Sequence, residues 1–133
     1  MHISYLPWNR GADPNLWSFI DDTPKGVTIH KIDDGIDTGD IILQKEVIFN
    51  EDETLETSYT KLQIEIINLF KNNWHRIKKK ECAVTKQVKG GTFHKSSESD
   101  ELIKSLSQGW KTPTKEVKGL VKNVYNRYYV WLL

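Results

Sequence analysis

The sequence predicts an α/β fold, and three observations carry that prediction. Residues 27–32 and 41–49 are dominated by Val, Ile, Thr and Phe, the residue types that suit a pleated, half-buried strand. From Leu55 to Ile77 the apolar residues Leu55, Tyr59, Leu62, Ile66, Phe70, Trp74 and Ile77 recur at spacings of three and four, the period of an amphipathic helix. Clusters rich in Gly, Pro and Asp punctuate the chain between these segments.

Taken in order, the first 11 residues hold Pro7, Asn9 and Gly11 among aromatic and polar groups, which predicts a loop leaving a buried element. Asp13-Pro14 reads as an N-cap with Pro at the first helical position, and Leu16, Trp17, Phe19 and Ile20 give the short helix its apolar face, with an end expected by Asp21–Pro24. Gly26 opens a strand over 27–32 in which Val27, Ile29 and Lys31 face one way and Thr28, His30 and Ile32 the other. The tract 33–40 contains Asp33, Asp34, Asp37 and Asp40 with Gly35 and Gly39, too many breakers for a regular element, so a structured acidic loop joins this strand to the next. Asp52 or Thr54 is placed to cap the long helix, which the pattern extends for about 25 residues to the Lys78-Lys79-Lys80 triplet.

Beyond residue 82 the pattern is weaker. A short strand over 84–88, a turn at Gly90-Gly91, an extended piece over 92–95, a helix over 100–107 started by Ser99-Asp100 and another over 115–122 after Pro113-Thr114 are expected. Residues 124–133 are aromatic-rich and are expected to dock against another surface. The division drawn from the sequence is 1–82 for one partial domain and 83–133 for an extension.

Composition sets outer bounds. The 133 residues are 38% hydrophobic and 28% charged, a globular balance. No apolar run reaches the ~20 residues of a membrane span, and the start MHISYLPWNRG lacks the order of a secretory signal, so a cytoplasmic protein is expected. A single cysteine, Cys82, excludes a disulfide framework and a Cys-rich zinc site. The net charge of +1 conceals an asymmetry: residues 1–70 carry 5 Lys/Arg against 13 Asp/Glu, and residues 71–133 carry 14 against 5. Much of the basic excess sits on Lys71, Arg76, Lys78, Lys79 and Lys80, where cations also offset the negative end of a helix dipole.

His2, Arg10 and Asp37 stand out as polar groups in loop-like segments beside strands rather than in solvated charge runs. A His and an Asp that met would form a proton-handling pair, because a carboxylate raises the imidazole pKa and orients the ring. Their separation in sequence does not show that they meet.

The blocks His2-Ile3-Ser4-Tyr5-Leu6-Pro7-Trp8-Asn9-Arg10-Gly11, Gly26-Val27-Thr28-Ile29-His30 and Asp34-Gly35-Ile36-Asp37-Thr38-Gly39-Asp40 resemble, in order and spacing, the 10-formyltetrahydrofolate-dependent formyltransferases. That family includes methionyl-tRNA formyltransferase and the N-formyltransferases of nucleotide-linked amino sugars. The resemblance is closest over residues 2–49, with a looser match at Gly91-Thr92-Phe93-His94-Lys95. It implies an α/β fold that is the C-terminal part of a Rossmann-like catalytic domain, with His2 and Asp37 catalytic and no metal required. It also implies that Ser4, Tyr5, Leu6 and Pro7 line the folate side of a cleft, that the backbone of Asp34, Gly35 and Ile36 borders the pterin, and that Trp8 and Arg10 serve the acceptor. A protonated His2 would donate to the oxyanion, Asp37 would stabilise it, and His30 is read as structural.

The family motif is Asn-x-His, and Met1 stands immediately before His2. The resemblance therefore implies a chain without the motif Asn and without the preceding Rossmann-like half. Loss of one oxyanion donor typically costs about 2.7–4 kcal/mol of barrier stabilisation. Three functions are weighed on this basis. The first is formyl transfer from 10-formyltetrahydrofolate to an amine, either an amino-sugar nucleotide or methionyl-tRNA. The second is a catalytically silent truncated chain that needs a partner half or a second copy. The third is a small RNA- or nucleotide-binding module on the basic half.

Overall fold

A computed structural model describes residues 1–118 and residue 120. The fold is mixed α/β. Strand β1 (Arg10–Gly11) is followed by helix α1 (Pro14–Ile20), strands β2 (Gly26–His30) and β3 (Ile41–Glu46), helix α2 (Leu55–Lys78), strand β4 (Phe93–His94) and helix α3 (Ser96–Lys104), with a 3-10 turn at Gly109–Lys111. β2 and β3 pair antiparallel, with Gly26 opposite Glu46 and a register shift between Ile29 and His30. Residues 1–3 join the other side of β2 through reciprocal backbone bonds between His2 and Thr28. β1 and β4 pair in parallel, so Arg10 meets Phe93 and Gly11 meets His94.

The alternation read along β2 sorts its residues onto two faces. Val27 packs with Val47, Leu62 and Ile66 against α2. Thr28, fully buried on the opposite face, donates from Oγ1 to the Ser4 carbonyl and accepts from the Leu6 N–H. The strand stops two residues short of the expected 27–32, because Lys31 N–H turns to the Asp40 carbonyl and Ile32 is left 95% exposed. β3 likewise ends at Glu46 rather than at residue 49.

α2 follows its sequence pattern closely. Thr54 is the N-cap: its Oγ1 accepts the Thr57 N–H at 3.1 Å while the Thr57 hydroxyl accepts the Thr54 N–H at 2.9 Å. His75, Arg76 and Lys78 occupy its last turn, where positive charge offsets the exposed carbonyls. A second core joins Leu16 and Phe19 of α1 with Leu55, Leu106 and Val117.

Three local expectations are corrected. Asp13 adopts φ +47 and makes no side-chain cap; its carboxylate accepts from Ser99 Oγ instead. α3 begins at Ser96, with Lys95 as its N-cap and the Glu98 carboxylate on the Lys95 N–H, so Ser99 lies inside the helix rather than opening it. Residues 84–88 form no ladder beyond a single bridge between Thr85 and Ile41, while Gly90 and Gly91 make the turn at positive φ. Residues 114–118 are helical as expected; the remainder of the expected 115–122 helix beyond residue 120 and the apolar ending 124–133 lie outside the described residues.

Candidate active site

The loop 31–40 curls back on itself and presents Asp37. Asp33 Oδ1 accepts the Gly35 N–H at 3.0 Å and the Thr38 hydroxyl at 2.6 Å, which folds the acidic tract into a compact turn. Gly39 lets the loop close, because a Cβ there would lie 1.7 Å from the Lys31 carbonyl oxygen. Asp37 itself has φ +56, a left-handed conformation that Asp tolerates better than most residues.

Asp37 is then fixed from two sides. Its Oδ2 accepts the Gly11 N–H at 3.0 Å, and its backbone carbonyl accepts Gln87 Nε2 at 3.0 Å. In this position the carboxylate lies between two histidines, with Oδ2 3.6 Å from His2 Nδ1 and Oδ1 3.4 Å from His30 Nε2.

His2, distant in sequence from His30 and Asp37, is brought into one cluster with them by the pairing of residues 1–3 with β2 and by the return of the loop.

The hydrogen bonds assign the ring nitrogens. His2 Nε2 lies 2.8 Å from the Asn9 carbonyl, which only accepts, so Nε2 carries the proton and Nδ1 is the nitrogen turned toward Asp37. His30 Nδ1 donates in the same way to the Lys31 carbonyl at 2.8 Å, leaving Nε2 for Asp37. Burial of His2 pushes its pKa below the ordinary imidazole value; the Asn9 carbonyl and Asp37 oppose that shift without cancelling it. Burial thus favours the neutral form of His2, whereas the resemblance implied a protonated donor.

Asn9 positions His2 and is itself held on every side. It is fully buried with φ +56; its N–H donates to Thr92 Oγ1 at 2.8 Å and its Nδ2 to Thr23 Oγ1 at 2.7 Å. Sequence reasoning passed over Asn9 as a loop former and kept His30 as a structural strand residue. The positive φ that Asn tolerates was the available signal for the first; the Gly-Val-Thr-Ile-His block was the signal for the second.

The other expected site residues are placed as follows. Ser4 and Leu6 are buried, and the Leu6 carbonyl accepts Gln44 Nε2, so Leu6 supports the wall from within while Tyr5, Pro7 and Trp8 are half-buried. Asp34, Gly35 and Ile36 form the exposed tip of the acidic loop. Arg10 has its guanidinium engaged by the chain's own acceptors: Gln87 Oε1 at 2.8 Å, the Gly90 carbonyl at 2.8 Å and the Val88 carbonyl at 3.2 Å. His2 opens onto a cleft of about 720 Å³ whose walls include Leu16, Leu55, Tyr59, Ile66 and Trp110. Tyr59 and Trp110 are half exposed there, and the sequence reading had assigned Tyr59 to the helix stripe alone.

A largely buried imidazole with one nitrogen fixed and the other facing a carboxylate is an arrangement capable of acid–base chemistry. The family profile described as Formyl transferase matches residues 1–70, and the chain belongs to this family. It is 30% identical over 126 residues to methionyl-tRNA formyltransferase of Thermodesulfovibrio yellowstonii, covering 94% of this chain and 40% of that protein. Among solved structures it is similar to the formyltransferase PseJ from Anoxybacillus kamchatkensis, in complex with UDP-4,6-dideoxy-4-formamido-L-AltNAc and tetrahydrofolate, at 50% identity and TM-score 0.84, covering 87% of this chain and 61% of that one. A 4-N formyltransferase from Francisella tularensis is 32% identical with TM-score 0.72, covering 77% of this chain and 42% of that one. The chain thus spans about two fifths of the length of the curated relatives it matches.

Proposed function

We propose that this chain carries the acid–base centre for transfer of a formyl group from 10-formyltetrahydrofolate to the primary amine of an amino-sugar nucleotide. The observation that carries the reading is the His2–Asp37 pair, with Nε2 of His2 fixed on Asn9 and Nδ1, without a proton of its own, facing the Asp37 carboxylate. The likeness to PseJ, with its sugar nucleotide and tetrahydrofolate, supports the choice of acceptor and donor.

The chain's part in the reaction follows from its protonation state. As the amine nitrogen bonds to the formyl carbon, neutral His2 takes the amine proton at Nδ1. The imidazolium so formed is stabilised by Asp37 and places positive charge near the developing oxyanion. His2 then returns the proton to the folate nitrogen as the bond from that nitrogen to the formyl carbon breaks. The folate supplies the activated formyl carbon when bound. Ser4 Oγ, buried without a hydrogen-bond partner among the described residues beside half-buried Tyr5 and Pro7, fits a wall that receives a polar heteroaromatic ring. Trp8 is assigned to the acceptor and Arg10 to bracing the loop.

Completion of the site is assigned to the part of the fold that relatives carry outside the matched stretch; the apolar cleft beside His2 supports that assignment. Turnover is therefore tested on the chain alone and on the chain mixed with the complementary part of PseJ. Amine-dependent release of tetrahydrofolate, lost in Asp37→Asn, is the expected result. Methionyl-tRNA is the second acceptor to test, because curated relatives with that name match 93–94% of the chain. Formylation of methionyl-tRNA in preference to the sugar nucleotide overturns the choice of acceptor but not the acid–base centre.

A further inference from the structure

We propose that Gln87 is a positioning residue that holds Asp37 in its working orientation against His2, with Arg10 as its anchor. This rests on the reading of Asp37 as part of the acid–base centre. Gln87 is buried, and every polar group of its amide that the surroundings address is engaged. Its Nε2 donates to the Asp37 carbonyl at 3.0 Å and to the Gly39 carbonyl at 2.7 Å, and its Oε1 accepts Arg10 Nε at 2.8 Å.

Two features make this more than a loop staple. The two carbonyls belong to residues on either side of Thr38, so one amide grips the backbone on both sides of the turn that aims the Asp37 carboxylate. Asp37 is in a left-handed conformation, which its own side chain does not enforce; among the described residues its backbone carbonyl is held by the Gln87 amide and its carboxylate accepts the Gly11 N–H. Arg10 in turn fixes Gln87, since its other nitrogens are tied to the Val88 and Gly90 carbonyls and its backbone pairs with β4. An apolar side chain at position 87 would leave two buried carbonyls and the Arg10 Nε without partners, and the turn would relax toward solvent.

The readout is the His2 imidazole, which feels Asp37 as a neighbouring charge, along with His30 and the chain N-terminus. Its pKa is measured by NMR titration of the ring Hε1 in the wild-type chain and in Gln87→Met, Asp37→Asn and Gly109→Ala. Two unit charges 3.6 Å apart interact even in a water-like dielectric strongly enough to move a pKa by about 0.5 unit or more. Gln87→Met is expected to lower the His2 pKa by about 0.5 unit, in the direction of Asp37→Asn. Gly109→Ala strains the separate 3-10 turn at φ +55 without touching Asp37, Gln87 or Arg10, so it should lower the melting temperature and leave the His2 pKa in place. Gln87→Asn, which withdraws the amide by one methylene, is read in the same way if Gln87→Met does not fold.

An unchanged His2 pKa in a folded Gln87 variant, alongside a lowered one in Asp37→Asn, overturns the role of Gln87 and leaves the acid–base pair standing. An unchanged pKa in Asp37→Asn overturns the pair itself. A fall in Gly109→Ala equal to that in Gln87→Met reduces Gln87 to a general structural role and also overturns the proposal.

Discussion

The carbonyl of Asn9 accepts the Nε2 proton of His2 at 2.8 Å, and this one bond decides which ring nitrogen is available for chemistry. Asn9 holds its conformation through Thr23 and Thr92. Asn9→Ala removes two side-chain hydrogen bonds and places a residue that avoids positive φ at +56. A loss of about 2–4 kcal/mol in unfolding free energy is expected, with Asn9→Gly less damaging because glycine accepts that φ. Urea denaturation of the two variants checks both the size and the order.

Stability should also depend on pH through His2. Its folded pKa lies below the ordinary value of 6.5, so the unfolded chain binds the proton more readily. The stabilisation is present above pH 6.5, falls as pH is lowered through that value, and levels off below the folded pKa. His2→Gln should remove this contribution and flatten the profile as pH falls through 6.5, measured as unfolding free energy against pH.

Gly39 in the acidic loop should be intolerant of a side chain, and Gly90 in the later turn tolerant of one. A Cβ at Gly39 meets a backbone oxygen that has nowhere to go, whereas Gly90 has open space and only its φ to defend. Gly39→Ala is expected to cost more than 2 kcal/mol and Gly90→Ala roughly 1–2 kcal/mol by thermal melting. Equal losses at the two positions would contradict the close approach at Gly39.

His94 joins the later part of the chain to α1. Its ring stacks on Trp17 with centroids 3.8 Å apart and planes within 1°, while Nε2 lies 2.7 Å from Asp21 Oδ2. Both contacts cross from β4 to α1. His94→Ala should destabilise the chain by about 1–3 kcal/mol, and His94→Phe should recover the stacking part alone. Melting temperatures of the two variants separate the terms.

Local chemistry made much of this legible in the sequence. The three-and-four spacing and Thr54 cap located α2 to within a residue or two, and alternation in β2 sorted Val27 from Thr28. The site was legible only in pieces: His2 and Asp37 were visible as residues, but their approach depends on a bridge from His2 to Thr28 and a turn closed by Gly39, which are long-range events. The same reason hid Gln87 and Asn9, whose importance lies in which carbonyls they reach. Asp13 misled because a capping residue before Pro is a local preference, and Ser99 on α3 competed for its carboxylate.

The central claim is that His2 and Asp37 form the proton-transferring pair of a formyltransferase. The most direct test is tetrahydrofolate release from 10-formyltetrahydrofolate with an amino-sugar nucleotide, using the chain completed by the complementary part of PseJ, for the wild type, His2→Ala and Asp37→Asn. The account predicts amine-dependent turnover in the wild type and a loss of 100-fold or more in each variant, on the order of general acid–base contributions. Wild-type turnover that persists unchanged in both variants would contradict it.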